Sequence, residues 1–364
     1  MPTELPFRIS IDAEIASSAE RAALALGNLN GSGRMLPNPT LLFQPFMRRE
    51  ALASSRIEGT QAEFGQLVLF EANEEADASN PDIQEVRNYL AALETGWNKP
   101  NDRPISPGFI MELHQQLLSG VRGASLNPGA LRSVQVHIGS GGNDLSRARF
   151  VPPPPDFVRD LVENLCNYIQ NGNDLPFLVR LAVIHYQFET IHPFMDGNGR
   201  LGRLLMPIIL GAWGRLDLPL LYLSEYFEDH REEYIDLLLA VSQRGDWKEW
   251  LLFVLEAIES QANDAFRRGQ RLLQLREELR SHYLHATRSS VALHVIDRLF
   301  ENPAITVKNA AAHANVSTQS ATKSIELLVE DGVLEEVTGQ KRNRVFLAPA
   351  IVEAMTARRS VRPE

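Results

Sequence analysis

The 364-residue chain contains a single cysteine, Cys166, so no intrachain disulfide can form and a reducing compartment is expected. Cys166 sits among helix-type residues with no histidine beside it, the setting of a packed thiol rather than a nucleophile. Positive charge is scarce too. The formal charge is −10 and the pI about 5.5, which gives no global attraction to nucleic acid or to an anionic membrane. The most apolar stretch, Leu204 to Trp213, is about half the length needed to span a bilayer and reads as a buried core helix. The opening MPTELPFRIS lacks a charged start followed by a long apolar run, so a cytoplasmic location is expected. Internal repeats and low-complexity tracts are missing. What is present is 44% apolar residues, the make-up of a soluble globular protein, at a length that calls for two or three domains.

Helical periodicity dominates, with apolar residues at three- and four-residue spacing near 11–27, 45–57, 82–97, 107–119, 156–170, 176–190, 199–213, 229–242 and 247–285. Strand-like alternation is confined to two places. Val134 to Ile138, the glycine-rich Gly139 to Gly142 and the return through Arg147 to Val151 predict a β-hairpin, stopped by Pro152 to Pro155. Val333 to Val337 and Arg344 to Leu347 predict a second. Before that second hairpin, Val291 to Phe300, Val307 to Ala314 and a helix capped by Ser317 and running to about Asp331 complete the pattern of a winged helix-turn-helix. The division expected is an N-terminal helical extension over 1–100, a catalytic core over 101–260, a connecting helix over 261–287 and a winged-helix domain over 288–364. The fold class is therefore mainly α.

The informative run is His192-Pro-Phe-Met-Asp-Gly-Asn-Gly-Arg-Leu-Gly-Arg203. It lies between two apolar helical segments, and Pro193 must end the first or closely follow it. Gly197 and Gly199 carry no Cβ, so the backbone can turn its N–H groups toward one point. The helix that follows adds unpaired N–H donors and a positive dipole end, which together make an anion site. Arg200 and Arg203, three apart on the first turn, can reach one side of it. Asp196 offers a hard oxygen ligand for Mg²⁺. His192 is the one ready base in the loop for a hydroxyl proton near neutral pH. Base, metal ligand, phosphate cradle and two arginines within twelve residues point to phosphoryl or nucleotidyl transfer.

This run resembles the Fic family motif: His, Pro, Phe, any residue, an acid, Gly-Asn-Gly-Arg, two residues, Arg. The resemblance implies a Fic-type helical bundle with a β-hairpin flap, and an enzyme that transfers AMP from ATP, with Mg²⁺, to a hydroxyl side chain of a target protein. In that frame His192 is the base and Asp196 binds Mg²⁺. Gly197, Asn198 and Gly199 cradle the inner phosphates, Arg200 and Arg203 hold the outer ones, Gly202 belongs to the nucleotide-binding set, and Phe194 is a core anchor. The 134–151 hairpin is similar to the Fic flap, which holds the target chain as an added strand. Its Val136, His137, Ile138 and Gly139 would line the nucleotide pocket. Tyr234, with Ser242 or Gln243 beside it, would complete the adenine pocket. Ser54-Ser-Arg-Ile-Glu-Gly59 is similar to the Fic inhibitory motif, which implies that Glu58 pairs with Arg203 where the γ-phosphate belongs.

The C-terminal unit is less decided. On a DNA-binding reading, Gln319, Ser320, Thr322 and Lys323 would face the major groove, with Lys341, Arg342 and Arg344 on phosphate. Residues 291–347, however, carry six bases (Arg298, Lys308, Lys323, Lys341, Arg342, Arg344) and seven acids (Asp297, Glu301, Glu326, Glu330, Asp331, Glu335, Glu336). That near-neutral sum favours protein docking or a homodimer over DNA. Two classes of function stay open: an autoinhibited adenylyltransferase with self-modification, and a winged-helix regulatory or assembly protein whose Fic portion senses nucleotide. Transfer of another phosphate-containing group, or removal of AMP, is open within the first class. The complete motif favours the enzyme, since a sensor needs phosphate contacts but no base. His192→Ala is expected to abolish AMP transfer and leave ATP binding largely intact, which mass spectrometry and calorimetry check; equal labelling by the variant would show another base.

Overall fold

The computed structural model describes residues 1–34, 40–73, 80–99, 103–139, 147–286, 290–340 and 342–357. In chain order the elements are α1 (Ala13–Arg34), α2 (Thr40–Ile57), α3 (Phe64–Ala72), α4 (Pro81–Trp97), α5 (Pro107–Leu117), α6 (Val158–Asn171), α7 (Phe177–Ile191), α8 (Asn198–Ala212), α9 (Ser224–Asp229), α10 (Arg231–Arg244), α11 (Trp247–Ala286), α12 (Ser290–Glu301), β1 (Ala304–Thr306), α13 (Val307–Ala314), α14 (Thr318–Glu330), β2 (Glu335–Glu336), β3 (Val345–Leu347) and α15 (Pro349–Thr356). None of the described helices is long and apolar enough to cross a membrane.

Helices apolar nearly all round must be buried on every side. α7 and α8 are of that kind, and they pack on each other at the centre of the fold. Around them stand α2, α4 and α5 against α8, and α1, α6, α10 and α11 against α7. Local signals set the boundaries. Asn80 caps α4 by accepting from the N–H groups of Asp82 (3.0 Å) and Ile83 (3.3 Å), and Ser106 caps α5 from Phe109. Each such cap contributes about 1 kcal/mol. Pro81 and Pro107 occupy first helical positions, where their missing N–H costs nothing. Cys166 is packed in α6, and burial pushes its thiol up to about 12.

α11 is one uninterrupted 40-residue helix, as the 247–285 periodicity predicts; it lies along α1 and then carries α12 and α15. Two readings are modified. α3 escapes the periodicity reading because it is apolar on nearly every face rather than along a stripe. The hairpin at 134–151 is not a ladder: among the described residues it reduces to a single bridge between Ile138 and Phe150, and the glycine turn at 140–142 lies outside the described residues. Pro152 to Pro155 cannot donate to a ladder, so side chains do the joining instead. Gln135 Nε2 donates to Pro152 O at 2.9 Å, and Arg132 donates to both Val134 O and Pro153 O.

The C-terminal unit follows the order α12, β1, α13, α14, β2, β3, with an antiparallel sheet of order β1-β3-β2. Ser317 caps α14 as expected, accepting from Ser320 N–H at 3.2 Å. This unit rests on the N-terminal helices, α12 on α2 and the sheet on α3. Arg48 of α2 is the tie: Nε donates to Glu71 of α3 at 2.8 Å and an amino group to Glu301 O at 2.7 Å. Asn302 adds a bond to the same Glu71 oxygen at 3.2 Å. Arg48→Ala leaves Glu71 short of its cation, and is expected to lower stability by about 1.5–3 kcal/mol. Urea unfolding checks it; an unchanged midpoint would mean apolar packing alone seats the unit.

Candidate active site

The loop between α7 and α8 is braced from within. α7 ends where His192 takes the left-handed conformation (φ 49°, ψ 61°), its N–H still bonded to Phe188 O at 3.1 Å. Phe194 turns into the core with no exposure. Asn198 closes the loop on itself: its Oδ1 accepts from Phe194 N–H and its Nδ2 donates to Phe194 O, both at 2.9 Å. Gly197 has φ 76° and caps α8, a conformation a β-carbon would strain.

A second brace comes from α5. His114 stacks on Phe194 with ring centroids 3.7 Å apart and planes 10° from parallel. Its Nδ1 accepts from Gly129 N–H at 2.8 Å and its Nε2–H donates to Asp196 O at 2.9 Å. Those two bonds together require the neutral ring with its proton on Nε2. Burial works the same way, holding His114 at about 4. Arg132, also buried, donates from Nε to His192 O at 2.9 Å while its own N–H bonds Pro193 O. It thereby joins the base of the flap to the turn that carries His192.

The loop opens on a cavity of about 210 Å³. Glu58, Gly199, Arg203, Glu189 and His192 form its polar end, and Ile57, Ile138, Phe150, Tyr234, Ile235 and Leu238 its apolar walls. Arg203 is 2% exposed and held through two of its nitrogens: Nε donates to Ser54 Oγ at 2.9 Å, and one amino group donates to Ser54 O at 2.9 Å and Glu58 Oε1 at 2.7 Å. That Glu58 oxygen lies over the start of α8, where any Cβ on Gly199 would stand 2.3 Å from it. Burial pushes the Glu58 carboxyl up, but the charge and hydrogen bond of Arg203 outweigh it, and the net shift is downward. Burial lowers Arg203 in turn and is outweighed by Glu58, so its proton is held more firmly than usual. Glu189 has no such partner. Burial first, opposed by Arg203 and aided by the charge of Glu58, raises it to about 7. Burial also lowers His192 to about 4, so its imidazole is neutral at physiological pH.

His192, Gly199, Arg203, Glu58, Ile138, Tyr234 and Ser242 thus meet at one cavity, while Val136, His137, Gly139 and Gln243 do not line it. Tyr234 shows its ring there and bonds His185 through its hydroxyl at 2.8 Å. Arg200 was expected beside the outer phosphates. It is instead 1% exposed and bonded to Glu85 of α4 at 3.1 Å, an oxygen that Thr60 also contacts at 2.9 Å. Gly202 serves helix packing: a Cβ there would lie 2.2 Å from Glu189 Oε1 and 3.0 Å from Phe188. Sequence reading missed His114, Arg132, Glu85 and Glu189, since nothing local distinguishes them from helix or loop residues. Asp196 is 34% exposed; its Oδ1 accepts from Gly197 N–H at 2.6 Å. Its Oδ2 faces Gly123, where a Cβ would intrude to 2.6 Å.

Comparison with known proteins gives this geometry a family. Residues 16–98 match the model described as Fic/DOC family N-terminal, and residues 104–210 match Fic/DOC family. The chain belongs to the Fic/DOC family. A probable protein adenylyltransferase of Aquifex aeolicus is 26% identical over 191 residues, covering 51% of this chain and 54% of the relative. The protein adenylyltransferase fic-1 of Caenorhabditis elegans is 28% identical over 160 residues, 43% of this chain and 28% of the relative. The chain thus spans about half or less of these relatives' length. In fold it is similar to a Fic family protein from Desulfovibrio desulfuricans G20, with TM-score 0.59 at 23% identity, covering 93% of this chain and 97% of the other. Residues 134–508 of C. elegans Fic-1 align with TM-score 0.56 at 21% identity, covering 70% and 74%.

A neutral histidine held near pH 4 makes a test. Unfolded, His114 would protonate around 6.5; folded, it resists to about 4. Below pH 6.5 the unfolded chain therefore binds a proton that the native one refuses, and stability falls with pH. Glu189, raised to about 7, acts in the opposite sense. Comparison with His114→Gln cancels that term, because glutamine donates and accepts without titrating. From pH 7 to 5 the wild type should lose about 2 kcal/mol more than His114→Gln in urea unfolding. Parallel losses would show that His114 is not held neutral.

Proposed function

We propose that the chain is an autoinhibited protein adenylyltransferase, moving AMP from ATP to a Ser, Thr or Tyr hydroxyl of a target protein and of itself. The observation that carries this reading is the Glu58–Arg203 pair lying over Gly199, inside the cavity that His192 lines. Relatives named protein adenylyltransferases support it. The donor set suits Mg²⁺ as well. Mg²⁺ shared with phosphates needs one or two carboxylates plus water, and Asp196 presents one oxygen over a glycine that leaves it room. Asp196 would hold the ion, which when bound would offset charge on the phosphates.

The steps then follow from this chain's own residues. The apolar walls around Tyr234, Ile235 and Leu238 take the base of the nucleotide. The N–H groups at the start of α8 face the phosphates. His192, neutral at pH 7, takes the proton from the target hydroxyl. The hydroxyl oxygen bonds the α-phosphorus, the bond from that phosphorus to the bridging oxygen breaks, and pyrophosphate leaves. Arg203 is the group that would hold the outer phosphate, and Glu58 holds it instead, so the triphosphate binds out of line for attack. The extended edge beside Ile138 would receive the target segment. The C-terminal unit is read as a winged helix-turn-helix on the order of its helices and strands, and the protein is taken to act in the cytoplasm.

Glu58→Gly should release Arg203 and raise self-modification in Mg²⁺ and ATP by about 10- to 100-fold, the scale of an aligned over a misaligned substrate. Adding Arg203→Ala should cancel the gain. If Glu58→Gly modifies itself at the wild-type rate with folding verified, Glu58 is no more than the end of α2.

A further inference from the structure

A second cavity, of about 590 Å³, lies where the end of α3 meets the C-terminal unit. Lys308 from the first turn of α13, and Arg342 and Arg344 from the turn into β3, line it together with Thr318 at the start of α14. Neither Lys308 nor Arg342 has an ion-pair partner among the described residues. Arg344 lies over the Phe346 ring at 5.3 Å, which leaves its N–H edge open. Among the described residues one acid, Glu71, shares the lining, and it is already matched by Arg48 at 2.8 Å and Asn302 at 3.2 Å.

The near-neutral sum of this unit hides a separation of charge. Asp297 is taken by Arg276 at 2.8 Å and by Arg280, and Glu301 by Arg298. Glu336 is spent on the N–H groups of Thr338 (2.9 Å) and Gly339 (3.0 Å). Glu330 lies twelve residues along α14 from Thr318, roughly 18 Å away at 1.5 Å per residue. Among the described residues Lys308, Arg342 and Arg344 therefore gather at one end, while Glu326 and Glu335, both exposed, stand outside the lining. Gln319 and Lys323, both exposed and four apart, share a face of α14 just beyond the groove. Among the described residues the lining holds no aromatic ring on which a splayed base could stack. Phosphate along an intact helix fits this surface better than a single strand.

We propose that this groove binds the phosphate backbone of double-stranded DNA, with Lys308, Arg342 and Arg344 as the phosphate contacts and Gln319 and Lys323 turned toward the bases. The inference stands apart from the adenylyltransferase reading, since none of these residues touches the catalytic cavity. The full chain is titrated into a fluorescein-labelled 20-base-pair duplex and anisotropy followed at 50 and 200 mM NaCl. Three phosphate contacts give a fall in affinity of about 40-fold between those salts. Lys308→Ala with Arg342→Ala, checked for an unchanged melting temperature, should weaken binding at least tenfold and flatten the salt slope by about 2. If that pair lowers the melting temperature, Arg344→Gln with Lys323→Ala is measured in its place against the same slope. Absence of saturable binding at 50 mM overturns the proposal. So does binding that both variant pairs leave untouched, or a phosphoserine peptide that outcompetes the duplex, which would make a phosphoprotein the partner.

Discussion

A guanidinium that is 2% exposed cannot stand alone. Stripping water from an ion costs several kcal/mol, recovered only by a close counter-charge and a full set of hydrogen bonds. Arg203 is such an ion, placed on the first turns of α8, and the surrounding structure is arranged to meet its demand. Ser54 takes two of its N–H groups with hydroxyl and carbonyl, which fixes α2 against α8. The same amino group that bonds Ser54 O also meets a group that solvent reaches, the Glu58 carboxylate, whose side chain is 35% exposed. An anion must occupy that place, and the fold provides one from its own chain.

The loop that presents this place is rigid for reasons unrelated to phosphate. Asn198 spends its amide on the backbone of Phe194, and Phe194 is clamped by the ring of His114. Arg132 ties His192 O to the segment that leads to Ile138. Within the turn the N–H groups of Phe194 and Gly197 are taken by Asn198 Oδ1 and Asp196 Oδ1, so the donors turned toward the cavity are those at the start of α8. Pre-organisation of this sort is what a site needs if its donors are to be in position before charge develops. It also accounts for a left-handed His192, a conformation that a looser loop would relax.

Much of this was legible in the sequence. Periodicity located nine of the helical segments, seven of them within two residues at each end, because long amphipathic or apolar stretches report their own burial. α1 runs seven residues past the expected 27 and α2 starts five before the expected 45. The run from His192 to Arg203 named its loop, since each residue type there answers a local need of backbone or charge. What stayed hidden depended on distant partners. Nothing near Arg200 announces that Glu85, over a hundred positions earlier, will close around it. His114 and Arg132 look like ordinary helix and loop residues until the chain brings Asp196 and His192 to them. The flap was over-read for a related reason: alternation from Val134 to Ile138 is real, but the prolines opposite cannot supply the donors of a ladder. Net charge is a blunt measure in the same way, because a sum over the C-terminal unit cannot say which cations have partners.

Arg200 and Arg203 sharpen the distinction between structural and exchangeable charge. They are the same residue type, three apart on one helix, and both buried. Arg200 pairs with a Glu85 side chain only 4% exposed, which Thr60 bonds from another side. Displacing Glu85 would strand two buried charges, at a cost of several kcal/mol that no incoming phosphate could offset without first opening α4. Arg203 pairs with a carboxylate at the end of α2, next to Gly59 at φ 96°, where the chain leaves the helix. Moving Glu58 aside returns it to water rather than to the core, so an incoming anion of comparable charge can take its place at little cost. The exposure of the partner, not the identity of the arginine, decides which of the two is able to change hands.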